Sequence, residues 1–551
     1  MSKAIFLGID GATLDLLLPW AEQGKLPNLS RILTQGAHGT LCSTLPPYSA
    51  QAWASMMTGK SPGKHGVLDF FETGVGPGHH AFISSALIQG QAIWDILSRQ
   101  GLRVGIVNVP LTYPPVPVNG YMVSGFMTPK GRQDYTYPAE LRDDILRVTE
   151  KYDPDPWDLV DPAKDLGGFE GWMEIAEKAA IFLHQEYPVT LYASVIQAID
   201  QLQHSFWDIL TEQDARSTPA GQRVWPTIEA CYARMDEAIG RRLEWLDGET
   251  YLFLASDHGF QSVSRWFHVN CWLAQRGYLK FASAERGVRQ SLAARLGWTR
   301  EDLKMLVRRL DPLGVRRLFG RFARAGIADR LDDALAQPID WTQTLAYSGS
   351  RTSEGICVNL RGRDPQGIVE PGSQYEDLRT RIIAELLALV DPGTGKPAVH
   401  GAFRREEVHR GEYVSRMPDI LLDFDDRPYL VSESTSARDV FEPIVSRDIQ
   451  GRHHSLGIFA ALGPQILSGA VVKASILDVT PTILYALGLP IPNDMDGRVL
   501  EEIFTPQHRQ THEIRSESAK DVELRQSEAS AYSQEEEEAM LQRLRDLGYL
   551  S

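Results

Sequence analysis

The chain has 551 residues, of which 43% are apolar, 23% charged and 9% aromatic, a globular composition that excludes disorder, collagen or coiled coil for its bulk. Its 56 Lys and Arg against 72 Asp and Glu give a formal charge of −16, which argues against tracking along nucleic acid, because following a polyphosphate backbone takes a basic stripe. Four cysteines without a C-x-x-C spacing (Cys42, Cys231, Cys271, Cys357) exclude a disulfide scaffold or a thiolate zinc site, and no apolar run reaches the roughly 18 residues of a membrane span.

The first apolar stretch, Ala4 to Ile9, ends at Asp10. It is too short for a secretory signal, so a cytoplasmic protein is expected. Short runs rich in β-branched and aromatic residues predict strands at 4–9, 104–109, 189–196, 251–255, 419–422 and 457–462. Between them lie helical patterns. Ile228, Tyr232, Met235, Ile239, Leu243 and Leu246 recur at helical spacing, with Pro226 suited to a first turn, and a helix over Ile476–Leu487 is stopped by Gly488. Strands alternating with helices predict an α/β fold with a mostly parallel central sheet covered on both faces, and an active site at the carboxyl ends of its strands.

Two stretches break this rhythm. Residues 286–330 hold twelve Arg or Lys against four acids, with apolar residues at helical intervals. A helical insertion over 286–345 is expected there, either a basic solvated face or a cap that attracts anionic substrates. The catalytic domain would then comprise 1–285 and 346–510. The tail, 511–551, carries the run Glu535-Glu536-Glu537-Glu538, followed by Met540, Leu541, Leu544 and Leu547 at a spacing that suits a docking helix.

The candidate chemistry collects at strand ends. Asp10-Gly11 follows the first strand, and Asp257-His258-Gly259 follows the strand at 251–255. Either could be a turn or capping set. Asp200 and His204, at i and i+4 after the strand at 189–196, share one helix face and could share a metal or simply pair with each other. His453, in Gly451-Arg452-His453, precedes the strand at 457–462. Three aspartates and three histidines of this kind would serve two divalent ions, zinc or manganese. Ser49, after the rigid Pro46-Pro47 turn and before a helical run, is an N-cap or a nucleophile; a helix N-terminus suits a transferring phosphoryl group in either case.

In this order, Asp10-Gly11, Ser49 with Thr58-Gly59, Asp200-x-x-x-His204, Ser256-Asp257-His258-Gly259 and the Gly-x-His at His453 resemble the alkaline phosphatase superfamily, and within it the type I phosphodiesterase/nucleotide pyrophosphatase family. Asp478-Val479-Thr480-Pro481-Thr482 looks like a helix such proteins carry near their end. The resemblance implies an alkaline phosphatase-like fold and two zinc ions bridged by the reacting phosphate. Asp200, His204 and His453 would hold one ion, and Asp10, Asp257 and His258 the other, beside Ser49. Ser49 would attack phosphorus and form a phospho-serine intermediate.

Two departures bear on the substrate. Eukaryotic nucleotide pyrophosphatases usually have Thr as nucleophile where this chain has Ser49. About twenty residues later they have an Asn that steadies a phosphate oxygen, and here Phe70 stands at that place, with Lys60 or Lys64 left to supply positive charge. A small phosphate ester is therefore expected, with preference for a nucleotide left open. The rivals are a phosphomonoesterase or phosphomutase of the same superfamily and a non-catalytic binding protein on the same fold. A sulfatase is disfavoured because Ser49-Ala50-Gln51-Ala52-Trp53 lacks the formylglycine pattern. A homo-oligomer stays open, since the basic insertion and acidic tail could pair between chains.

Overall fold

The computed structural model of the chain describes residues 2–72, 82–155, 167–282, 336–349, 354–444, 449–519 and 531–546. They fold as two compact units. Met1–Gln261, His409–Met417 and Gly451–Arg543 form the first, and Ser262–Val408, Pro418–Gln450 and Leu544–Ser551 form the second. Most of the expected insertion, as far as residue 335, lies outside the described residues.

The first unit is built on a nine-stranded sheet. Its strands include β1 (Lys3–Ile9), β2 (Ala37–Cys42), β3 (Val104–Val109), β4 (Gly120–Ser124), β5 (Thr136–Tyr137), β6 (Leu191–Ile196) and β7 (Thr250–Ala255). The spatial order is Val471–Ser475, β2, Leu456–Leu462, β7, β1, β6, β3, β4, β5. From β7 to β4 the strands are parallel, and Leu456–Leu462 runs against both of its neighbours. This is the mostly parallel α/β sheet that the alternating pattern predicts.

Alternation within each strand feeds two cores. In β1, Ile5, Leu7 and Ile9 pack on one face with the helices Leu14–Glu22, Gly167–Glu186, Ala198–Thr211 and Pro219–Glu244. Ala4 and Phe6 pack on the other with Ser49–Thr58, Ile93–Arg99 and Val479–Ala486. A sheet buried on both sides explains why these strands read as nearly continuous apolar runs.

Two expectations need correction. The helix predicted to start at Pro226 begins at Pro219, where Thr218 caps it by accepting from Gly221 N at 3.0 Å; Pro226 lies inside it. The strand expected at 419–422 is Ile420–Asp423, and it belongs to the second unit. There it pairs between Gly355–Val358 and Gly401–Arg404 in a small antiparallel sheet. Asp419, buried just before that strand, is gripped by Arg363 through two bonds of 2.7 and 2.8 Å and by the Tyr375 hydroxyl at 2.6 Å.

In the tail, Gln534–Asp546 is a helix. Arg132 donates through two nitrogens to Glu536 at 2.6 and 2.9 Å. Tyr532 is buried between Phe82 and Tyr113, and its hydroxyl donates to Ile83 O at 3.1 Å. No described helix is long and apolar enough to cross a membrane.

Candidate active site

Register places the chemistry. Ile9 of β1 lies opposite Ile196 of β6, and Gly8 lies opposite Ala255 of β7, so the three carboxyl ends finish at one level. The next residues supply Asp10, Asp200 at the start of the helix Ala198–Thr211, and Asp257. All three carboxylates are buried.

Small residues make this edge possible. Gly11 has φ +71°, a conformation that disfavours a side chain, and its N–H donates to Asp257 Oδ1 at 3.2 Å. At Gly8 a Cβ would stand 2.4 Å from the Trp53 ring. That gap admits Trp53, whose indole N–H donates to Asp10 Oδ2 at 3.0 Å.

Ser49 opens the helix Ser49–Thr58 as its first helical residue, after the extended Tyr48. It is therefore not the N-cap. Its Oγ lies 3.0 Å from His258 Nε2. That nitrogen is 3.4 Å from Asp10 Oδ1, 3.2 Å from Asp257 Oδ2 and 3.8 Å from Asp200 Oδ1. His453 Nε2 lies 3.3 Å from Asp200 Oδ1, and His204 Nε2 lies 3.6 Å from the same oxygen. The rings of His258 and His453 are stacked, with centroids 3.4 Å apart. All six expected ligands and Ser49 are thus brought together. His258 stands at the junction, because it groups with Asp10 and Asp257 and equally with Asp200 and His453.

Each imidazole is oriented in the same way. Nδ1 of His204 faces Gly451 O at 3.2 Å, Nδ1 of His258 faces Gly259 O at 3.1 Å, and Nδ1 of His453 faces Pro47 O at 2.8 Å. A carbonyl oxygen only accepts, so Nδ1 carries the proton in each neutral ring and Nε2 presents a lone pair to the centre. Metal-binding histidines are fixed in this manner. Burial lowers the pKa of His204 to about 4, and it lowers His453 well below the ordinary value, with His258 adding to the effect. Burial first, and the neighbouring carboxylates next, raise Asp10 and Asp257 above the usual carboxylate range.

This donor set fits divalent cations. Asp10 Oδ1 and Asp257 Oδ2 are buried and accept no hydrogen bond among the described residues. Three carboxylate groups and three imidazole Nε2 atoms converge within a few ångströms, and their lone pairs repel one another unless positive charge stands between them.

The candidate substrate residues Lys60, Lys64 and Phe70 each have partners of their own. Lys60 and Lys64 follow the far end of the serine helix, which spans roughly 15 Å over its ten residues. Lys60 is ion-paired with Asp494, and Lys64 donates to Asp496 at 2.6 Å and to Asp494 O at 2.9 Å. Phe70 is fully buried, edge-on to Phe126.

Supporting groups went unrecognised in the sequence. Gln203 donates to Gly11 O at 2.8 Å, and the Ser256 hydroxyl donates to Ala12 O at 2.7 Å while accepting from Ile458 N at 2.8 Å. Trp53 was the one with a local signal, because it follows Ser49 by four residues and so shares its helix face.

The sequence model of the type I phosphodiesterase/nucleotide pyrophosphatase family matches residues 4–456. No curated protein matches the chain. Among solved structures, human ectonucleotide pyrophosphatase/phosphodiesterase 5 is similar with 13% identity and a TM-score of 0.46, over 91% of this chain and 100% of that one.

Proposed function

The chain belongs to the type I phosphodiesterase/nucleotide pyrophosphatase family and is a hydrolase of phosphoric ester bonds; within that class we propose that it cleaves a small phosphodiester or pyrophosphate through a phospho-serine formed on Ser49. The observation that carries this reading is the place of Ser49 Oγ, 3.0 Å from His258 Nε2 and beside two groups of residues able to hold a metal.

Asp200, His204 and His453 would hold one divalent ion, and Asp10, Asp257 and His258 the other, with His258 near enough to serve either. Zinc fits the mixed oxygen and nitrogen donors, and manganese is the alternative. When bound, the ions would neutralise phosphate charge, favour the serine alkoxide and supply a hydroxide for the second half-reaction.

The chain's own residues do the rest. Ser49 forms a bond to phosphorus as the bond to the leaving oxygen breaks, and the leaving group departs as an alcohol or phosphate. Water then cleaves the Ser49 ester, returning the hydroxyl and releasing the second product. The amino end of the serine helix, the positive end of its dipole, would face negative charge developing at phosphorus. Trp53 holds the Asp10 carboxylate in orientation, and the carbonyls of Pro47, Gly259 and Gly451 hold the three imidazoles.

Two measurements test the reading. Ser49→Ala should abolish turnover of an aryl phosphodiester, a loss of several orders of magnitude, while retaining the metals. Undiminished turnover in that variant removes Ser49 as the nucleophile. Comparing the aryl diester with its matching monoester on one preparation fixes the class, and faster cleavage of the monoester favours a phosphomonoesterase on this site.

A further inference from the structure

Ser49 is reached through the segment Thr44-Leu45-Pro46-Pro47-Tyr48, which leaves the sheet after β2. Neither proline carries an N–H, so this stretch has few backbone donors with which to anchor itself. Side chains grip its carbonyls instead. Pro46 O accepts from the Thr44 hydroxyl at 2.9 Å and from Gln51 Nε2 at 2.5 Å, and Pro47 O faces His453 Nδ1 at 2.8 Å. Leu45 O lies 2.7 Å from Nε2 of His409. Thr44 and Gln51 are close neighbours in sequence, and His453 is a candidate metal ligand. His409 is neither, and it comes from 364 positions away to meet this one carbonyl.

The His409 ring has two partners. A carbonyl oxygen only accepts, so Nε2 carries the proton and Nδ1 keeps a lone pair. That lone pair faces the Ser61 hydroxyl at 3.4 Å, and Ser61 Oγ in turn meets Arg410 N at 3.5 Å. One imidazole thus ties the chain just before the serine helix Ser49–Thr58 to the turn just after it. The ring is buried, and burial lowers its pKa, which keeps it neutral and in this tautomer.

The backbone around His409 is fitted to the same purpose. His409–Met417 belongs to the first unit, although the residues on either side of it belong to the second. A Cβ at Gly63 would stand 2.5 Å from Arg410 O, and one at Gly411, whose φ is +122°, would stand 2.1 Å from Gly63 O. A side chain at either place would push the segment off the turn that follows the serine helix.

We propose that His409 is a positioning residue for the nucleophile. Its Nε2–H fixes the Leu45 carbonyl, and the stiff Pro46-Pro47 pair passes that constraint on to Ser49 Oγ, 3.0 Å from His258 Nε2. The proposal rests on the reading of Ser49 as the nucleophile. A nucleophile displaced by a fraction of its reach binds substrate as before but attacks more slowly.

Three substitutions separate the donor from the ring. His409→Phe keeps a ring without the N–H, His409→Asn is too short to reach Leu45 O, and His409→Gln places an amide N–H near the position of Nε2. The Phe and Asn variants should lower kcat for an aryl phosphodiester by about 10- to 100-fold, with KM and metal content close to wild type. The Gln variant should restore kcat to within about threefold of wild type. His409→Asn covers the case that the phenylalanine disturbs folding. Wild-type kcat in the Phe and Asn variants overturns the proposal, as does a Gln variant no faster than those two, or a defect confined to KM or to unfolding free energy. Ser49→Ala distinguishes this failure from that of the underlying reading. Turnover retained in Ser49→Ala means that the nucleophile itself is misassigned, whereas an inactive Ser49→Ala beside a fully active His409→Phe removes His409 alone.

Discussion

Nε2 of His204 and Nε2 of His453 face each other across 3.0 Å, while the Nδ1 of each ring is committed to a backbone carbonyl. Two lone pairs are thus aimed at one point. A proton between them would have to be held by an imidazole whose pKa burial has lowered, to about 4 at His204 and well below the ordinary value at His453. A dication accepts both lone pairs without that penalty, which makes this contact the sharpest mark of a metal position in the fold.

Removing either nitrogen should therefore remove an ion. His204→Ala and His453→Ala are expected to bind one divalent metal fewer per chain than wild type. Loss of a ligand should lower kcat/KM for an aryl phosphodiester by more than about 100-fold, the upper end of what supporting residues cost. Elemental analysis alongside the rate checks it. Full metal content in both variants would show that the facing nitrogens are not ligands.

Trp53 acts one step further out. Its indole donates to Asp10 Oδ2 and leaves Oδ1, which accepts nothing among the described residues, pointing into the centre. Trp53→Phe keeps a ring packed over Gly8 but deletes the donor. We expect metal affinity or turnover to fall by about 10- to 100-fold with the fold intact, as for other residues that orient a ligand. Chelator competition, read beside a circular dichroism spectrum, separates this effect from a packing defect. Unchanged metal affinity and turnover would reduce Trp53 to a packing residue.

Much of this site was legible because its signals are local. Asp10 and Asp257 end apolar runs, and the i, i+4 spacing of Asp200 and His204 is visible on any helix. What the sequence hid depends on residues far apart along the chain. His453 is oriented by Pro47 O, 406 positions away. The positive charges of Lys60 and Lys64 meet Asp494 and Asp496, more than 400 positions away. The start of the long helix was misread for a different reason. Pro219 and Pro226 are both admissible first-turn prolines, and only the cap at Thr218 distinguishes them. The strand at 420–423 was placed correctly in the sequence but in the wrong sheet, because an apolar run does not encode its neighbour.

The acidic tail gives a stability prediction. Tyr532 buries its ring between Phe82 and Tyr113 and satisfies its hydroxyl on a backbone carbonyl. Tyr532→Ala should destabilise by about 3 kcal/mol, the usual loss for a large buried aromatic, and Tyr532→Phe by about 1 kcal/mol. Chemical denaturation of the three proteins measures this. Equal midpoints would mean that the tail contributes nothing to folding.

His65 gives a pH dependence with a definite sign. Val67 N donates to its Nδ1 at 3.2 Å, so Nδ1 is unprotonated, and Nε2–H donates to Ser55 Oγ at 2.8 Å. Burial, with His409 and Lys60 adding to it, lowers its pKa from 6.5 to about 3. Between those values the unfolded chain holds a proton that the folded chain refuses. The stability contributed by neutral His65 is therefore complete above about pH 6.5 and declines as pH falls toward 3, by about 1.4 kcal/mol per pH unit. His65→Gln keeps a donor at the far end of the side chain but cannot titrate. Its unfolding free energy, measured in chelator from pH 7.5 to 4.5, should fall less steeply than that of wild type by that amount per unit. The other acid-sensitive groups, His204 and His453 among them, are common to both proteins and cancel in the difference. Parallel profiles would mean that His65 accepts its proton without unfolding.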